Sequence, residues 1–321
     1  MHVEPVMGTV VTFDIHAPFV APEAIRTATA LLHDVDRRFS LYRDDSELGR
    51  LAAGILTERE LSADVQWVLA VCDSLAFDSR GAFDARVHRS DGIVDPSALV
   101  KGWAIEAAAH VLAEAGARNF MIAGGGDVVT RGAAQPGERW RVGIRHPEHG
   151  DLIAAVLATE RHAVATSGLY ERGDHIRDPR TGAVPGDLLS LTVVGPDLTW
   201  ADAYATAGFV MGLDGPAWVD GHPGYGALAI TVDRAMLWTP TLDRLLVADT
   251  MAATDFSSTS HDRMVPWRRS RGAPPTLRTA RADPHAPTRD RRRRATRASS
   301  QAPARGGSPC RRCRDRRRVR T

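Results

Sequence analysis

Asp95-Pro96-Ser97-Ala98-Leu99-Val100-Lys101-Gly102-Trp103 opens the stretch whose reading decides the fold. An alanine-rich run carries it to Gly116, then Phe120-Met121-Ile122 leads into Gly124-Gly125-Gly126-Asp127. A polar entry with Pro and Ser starts a helix, and Gly116 stops it. Between them Ala104, Ala107, Ala108, Val111, Leu112 and Ala115 recur at three- and four-residue spacing, which predicts one narrow apolar stripe. The apolar residues Phe120 to Ala123 suit a short buried strand, after which the glycines turn the chain. Lys101 falls in the first turn of the expected helix, where the backbone already favours anions. It is the one lysine in the chain; all other basic residues among the 41 are Arg. A compact ammonium that Arg cannot replace and a chance survivor on a solvated face are both open readings here.

Outward from that stretch, the charge divides the 321 residues into two unlike polymers. From Asp249 onward there are 20 Arg and 6 Asp, a net of +14, whereas residues 1–248 hold 21 basic and 33 acidic residues, a net of −12. Residues 1–248 therefore read as an acidic globular domain. Residues 249–321, rich in Arg, Pro, Ala and Ser, read as a disordered basic tail that cannot bury enough apolar surface to fold alone. Such a composition is also what GC-rich DNA read out of frame would give, so a frame-shifted extension is one expectation for it. Cys72, Cys310 and Cys313 make no disulfide framework, and a single CxxC is not a zinc site. No apolar run nears the ~20 residues of a membrane span. Met1-His2-Val3-Glu4 lacks a signal-peptide pattern, so the expected location is cytoplasmic.

Strands are expected over Gly8 to Ile15, Trp140 to Ile144, Leu152 to Leu157, Leu189 to Val194 and Ala227 to Val232. Helices are expected over Pro22 to Phe39, Ser62 to Phe77 and Asp202 to Met211, with a helix cap among the Asp and Ser residues before Leu48. The alternation is irregular and lacks βαβ units, which favours α+β. Asp202 and Thr206, four apart, share one helix face and offer hard oxygen ligands suited to Mg²⁺; the bland alternative is capping or solvation. His175 in a polar loop could act as acid or base. Thr166-Ser167-Gly168 reads as either a turn or an anion nest, and Gly124-Gly125-Gly126-Asp127 as a close backbone approach to a ligand or a tight turn between strands.

Taken in order, the motifs resemble the FAD:protein FMN transferase (ApbE) family over nearly all of residues 5–247. They are Met7-Gly8-Thr9; Phe39-Ser40 with Tyr42 and Asp45-Ser46-Glu47-Leu48; Gly81-Ala82-Phe83-Asp84; and Asp95 through Lys101-Gly102. Gly125-Gly126-Asp127, Ala165-Thr166-Ser167-Gly168, His175-Ile176 with Asp178-Pro179-Arg180-Thr181-Gly182, and Ala201-Asp202-Ala203-Tyr204-Ala205-Thr206-Ala207 complete the set. The resemblance implies ApbE-like, T-fold-like mixed sheets flanked by helices. It implies Mg²⁺-dependent transfer of the FMN moiety of the substrate FAD to a Ser or Thr hydroxyl of an acceptor flavoprotein, with AMP released. By motif match Asp202, Thr206 and the Ala98 carbonyl would hold the metal. Met7, Tyr42, Ala82, Phe83, Asp84, Asp95, Lys101, His175 and Ile176 would line the FAD site, and His175 and Asp202 would be catalytic. Ala52 and Ala123 stand where the family usually has Asn, a departure that bears on the balance between transfer and FAD hydrolysis. A Mg²⁺-dependent FAD pyrophosphatase and a non-catalytic flavin-binding protein are the competing readings, and nucleic acid is expected as a partner only through the Arg-rich tail.

Overall fold

The computed structural model describes residues 1–16, 22–86, 94–169 and 176–247, and the backbone of 264–266. These all lie in a compact unit, Met1–Gly272; the second unit, Ala273–Thr321, falls wholly outside the described residues, as do His175 and most of the Arg-rich tail.

The chain opens with a hairpin, β1 (His2–Val6) and β2 (Thr9–Ile15). Three helices follow: α1 (Pro22–Phe39), α2 (Glu47–Ala52) and α3 (Ala63–Asp78). The decisive stretch gives α4 (Ser97–Glu114) and β3 (Phe120–Gly124), and then β4 (Asp127–Arg131). A ribbon of β5 (Trp140–Arg145) and β6 (Ile153–Thr159) precedes β7 (Ala163–Gly168) and β8 (Leu188–Gly195). The remainder is α5 (Leu198–Val210), α6 (Gly215–Asp220), β9 (Gly226–Thr231), β10 (Met236–Trp238) and β11 (Met264–Pro266).

Nine strands form one sheet in the order β1-β2-β3-β4-β7-β8-β9-β10-β11, and β5-β6 forms a second, two-stranded sheet. Every neighbouring pair in the large sheet is antiparallel except β10-β11. This is the expected mixed α+β arrangement. Strand alternation explains how it is covered, because successive side chains face opposite sides. Ala163, Ala165, Leu191, Val193, Ala227 and Ala229 face the helices in the main core. Their neighbours Val164, Val194, Leu228 and Ile230 face the β5-β6 ribbon, meeting Val142, Ile144, Ala155 and Leu157. Sheets covered on both sides carry near-continuous apolar strands, and β9 is buried at all six positions.

Helix α4 departs from the expected narrow stripe. Gly102, Ala104, Ile105, Glu106, Ala108, Ala109 and Leu112 are all buried. The helix lies against both α1 and α5, so small residues were needed on several faces. Glu106 is buried within it, paired with Arg131 and accepting the Leu198 N–H at 2.9 Å. Leu198 opens α5, where unpaired amide groups favour a carboxylate. Burial nonetheless pushes the Glu106 carboxyl above its ordinary range, against the pull of Arg131.

Two hairpins bring backbone to one end of the sheet. Val6 pairs with Thr9 and Gly124 with Asp127, leaving two-residue loops Met7-Gly8 and Gly125-Gly126. Both central residues of each loop have positive φ, the I′ geometry that matches strand twist. Met7 adopts φ +54° without being glycine, a strained conformation of the sort that collects at functional sites.

Candidate active site

A cavity of about 710 Å³ opens where these loops meet the starts of α4 and the middle of α5. That volume lies within the ~300–1,000 Å³ common for small-molecule sites. Met7, Tyr42, Ala82, Phe83, Asp84, Asp95, Ala98, Lys101, Ile176, Asp202 and Thr206 all line it. The structure thus brings together every described residue to which the sequence assigned a role. Neither Ala52, exposed at the end of α2, nor Ala123, paired within β3, is on the lining.

Each wall has a local cause. Ser46 caps α2, accepting the Gly49 N–H at 2.8 Å and donating to the Ser40 and Arg43 carbonyls at 2.7 and 2.9 Å. This pins the loop that leaves Tyr42 97% exposed, a large aromatic face open to solvent at the rim. Opposite, the Ser79 hydroxyl accepts the Phe83 N–H at 2.9 Å and fixes the turn after α3. Asp95 accepts the Ser97 N–H at 3.0 Å, holding the entry to α4. Lys101 therefore begins the second helical turn, one residue beyond the expected first turn.

Three charges meet at the floor. Lys101 Nζ lies 2.8 Å from Asp127 Oδ2 and 3.5 Å from Asp202 Oδ1. The other Asp202 oxygen accepts the Gly102 N–H at 3.0 Å. Asp127 is fully buried, and its Oδ1 faces the Thr166 N–H at 3.4 Å. Burial, seconded by the neighbouring Asp127 charge, pushes the Asp202 carboxyl up to about 7, while Lys101 and the Gly102 amide act in the opposite direction. Asp202 is not a cap: Asp197 does that work, accepting the Thr199 N–H at 2.8 Å. The helix starts four residues earlier than expected because of that cap, which places Asp202 inside it, 4% exposed.

Thr206 meets Ser167 across the floor, Oγ1 to Oγ 3.2 Å. Thr166-Ser167-Gly168 is neither of its expected forms, turn or nest; it is the end of strand β7, paired to β8 through Leu191 and Ser190. The run Ala163 to Gly168 is small and partly polar, so its propensity is weak, and the pairing partner supplies the strand. Gly124-Gly125-Gly126-Asp127 proves to be the tight turn between strands and also approaches the site: a Cβ on Gly125 would stand 3.2 Å from Lys101 Cδ. Asp127 and Ser167 were quoted in the sequence without a site role. A carboxylate fixed directly after a two-glycine turn was the available signal for the first.

The side-chain oxygens at the floor are hard donors: the Asp127 and Asp202 carboxylates and the Ser167 and Thr206 hydroxyls. Among the described residues no three His, Cys, Asp or Glu side chains cluster as metal ligands. Two carboxylates beside one ammonium leave the floor with a net negative charge when both are ionised. Cys72 is no competing nucleophile, since burial pushes its thiol up to about 12.

Comparison with known proteins agrees with the geometry. The ApbE family matches residues 7–92 and 88–229. FAD:protein FMN transferase of Haemophilus influenzae is 28% identical, over 58% of this chain and 71% of that one. The proteins of the same name from Escherichia coli and Vibrio cholerae are 30% and 33% identical, and the matches span 49% and 39% of their lengths. The chain thus covers half or less of those two relatives. Among solved structures, the flavin transferase ApbE of Vibrio cholerae superposes with a TM-score of 0.65 at 25% identity, over 74% of this chain and 95% of that one. The ApbE protein of Thermotoga maritima gives 0.65 at 22% identity, a likeness of fold.

Proposed function

The chain belongs to the ApbE family, and from that premise we propose that it is a flavin transferase moving the FMN moiety of FAD to a Ser or Thr hydroxyl of an acceptor flavoprotein. The observation that carries this reading is the single cavity shared by all the described residues expected to hold FAD and metal, with Lys101, Asp127 and Asp202 at its floor.

In the reaction the acceptor hydroxyl oxygen forms a bond to the phosphorus on the riboflavin side of FAD. The bond from that phosphorus to the bridging oxygen breaks, and AMP departs with that oxygen. The hydroxyl proton passes to a base. Positioning and charge stabilisation do most of the work in such transfers. Lys101 supplies an ammonium to the diphosphate, on a stem held by Gly125. Tyr42 offers an exposed aromatic face for the flavin, and Asp84, Asp95 and Ile176 bound the remaining lining.

Asp202, Thr206 and the Ala98 carbonyl fit a magnesium ion as a hard-oxygen set. Asp202 accepts the Gly102 N–H through one oxygen, which fixes its carboxylate beside the turn of α4 that carries Ala98, and Asp202, Thr206 and Ala98 all line the same cavity. Bound there, Mg²⁺ would neutralise charge on the diphosphate. Asp202 serves as the cation's anchor or as the base, and His175, outside the described residues, as a positioning or proton-transfer group.

Chromatography of the nucleotide products tests the reading. AMP formed from FAD only when an acceptor protein is present is the expected result. AMP and FMN formed equally without acceptor would replace transfer by hydrolysis, and unchanged FAD would leave a binding protein. The acidic domain 1–248 carries this activity, and the basic extension 249–321, whose Met264–Pro266 pairs with β10 in the large sheet, takes no part in the chemistry.

A further inference from the structure

One ammonium faces two buried carboxylates, and it is not shared evenly. Lys101 Nζ is 2.8 Å from Asp127 and 3.5 Å from Asp202. Asp127 can hold it there because its own backbone is fixed: it begins β4 directly after the Gly125-Gly126 turn and pairs with Gly124. Gly125 presses on the lysine stem from the same side. Asp202 comes from a different element, α5, and has its second oxygen committed to the Gly102 N–H.

We propose that Asp127 is a positioning residue that holds the Lys101 ammonium away from Asp202, and so keeps the Asp202 carboxylate available to a divalent cation. The inference rests on Asp202 as the cation's anchor. With Asp127 charged, the lysine is neutralised by a partner other than the metal ligand, and a cation approaching Asp202 meets a net negative floor. With Asp127 uncharged, the lysine turns wholly to Asp202 and occupies the place of the cation. Unit charges a few ångströms apart in a partly buried site interact strongly enough to change binding by at least about tenfold.

Isothermal titration of Mg²⁺ into the full chain without FAD or acceptor, where the diphosphate does not engage Lys101, tests this. Asp127→Asn, which keeps the side-chain shape and an oxygen for Thr166, should weaken Mg²⁺ binding by about tenfold or more. Adding Lys101→Met to that variant should restore the affinity to near the wild-type value, since the competing ammonium is gone. A merely structural role for Asp127 would not be rescued in this way. Unchanged affinity in Asp127→Asn, or a double variant as weak as the single, overturns the inference alone. A wild-type chain that binds no Mg²⁺ overturns it together with Asp202 as the anchor. Should Asp127→Asn not fold, Lys101→Met decides the matter by itself: tighter Mg²⁺ binding supports the competition, and equal or weaker binding overturns it.

Discussion

Lys101 sits in a slot measured for an ammonium. Asp127 bounds it at 2.8 Å, Asp202 at 3.5 Å, and the Gly125 backbone runs along its stem. A guanidinium is wider and planar, and demands donors in a fork, so Lys101→Arg should not substitute. FAD turnover in that variant should fall by about 10²-fold, roughly as far as in Lys101→Met, because a misplacement of about 1 Å costs that much. Kinetics of AMP release check it; near wild-type turnover would mean that charge alone suffices. Asp202 gives a pH prediction. Its carboxyl rises from 3.8 to about 7 on folding, so between those values the native state keeps a proton the unfolded state has lost. The unfolded chain then binds fewer protons, and this group's contribution to stability declines as pH rises through that window. In metal-free protein, urea midpoints at about pH 5 and about pH 8 should differ less in Asp202→Asn than in wild type. The lone lysine was conspicuous in the sequence, but its two carboxylate partners were not, since Asp127 and Asp202 come from elements far apart in the chain.

At the scale of elements, the crossing of α4 and α5 places the floor of the site. Gly102 is what allows it: a Cβ there would stand 2.5 Å from the Leu198 carbonyl oxygen and 2.8 Å from Asp202 Cβ. Gly102→Ala should therefore push the helices apart, destabilise the protein by about 1–3 kcal/mol as overpacking does, and loosen the Gly102–Asp202 hydrogen bond. Urea unfolding checks the first effect; a change under about 0.5 kcal/mol would show that the helices can yield. The sequence made α4 and α1 legible through their spacing and their stops. It did not reveal that α4 would be buried on most sides, because alanine and glycine suit a surface as well as a tight crossing. The strands β1 and β4 were missed for a related reason. His2-Val3-Glu4-Pro5-Val6 alternates, but five residues with a proline make a weak pattern, and their strand character comes from pairing with β2.

At the scale of the whole molecule, one sheet, antiparallel but for β10-β11, with helices on one side and a ribbon on the other gathers Met7, Lys101, Ser167 and Asp202 from widely separated positions. The motif order made that convergence readable through the family resemblance, whereas composition and periodicity alone reached only α+β. Strand order could not be read at all, since it depends on which edges meet in space. No described helix is long and apolar enough to cross a membrane, and all described residues fall within Met1–Gly272. A chain ending at Gly272 should melt within about 1 °C of the full chain, below the shift of about 2–4 °C that 1 kcal/mol would produce at this size, and should bind FAD equally well. Loss of either property would tie residues 273–321 to the folded unit. The most direct test of the account is intact-mass spectrometry of an acceptor protein incubated with the chain, FAD and Mg²⁺, with Asp202→Ala in parallel. The account predicts an acceptor mass gain equal to FMN less water with the wild-type chain and none with the variant; an unmodified acceptor beside free FMN, or equal labelling by Asp202→Ala, would contradict it.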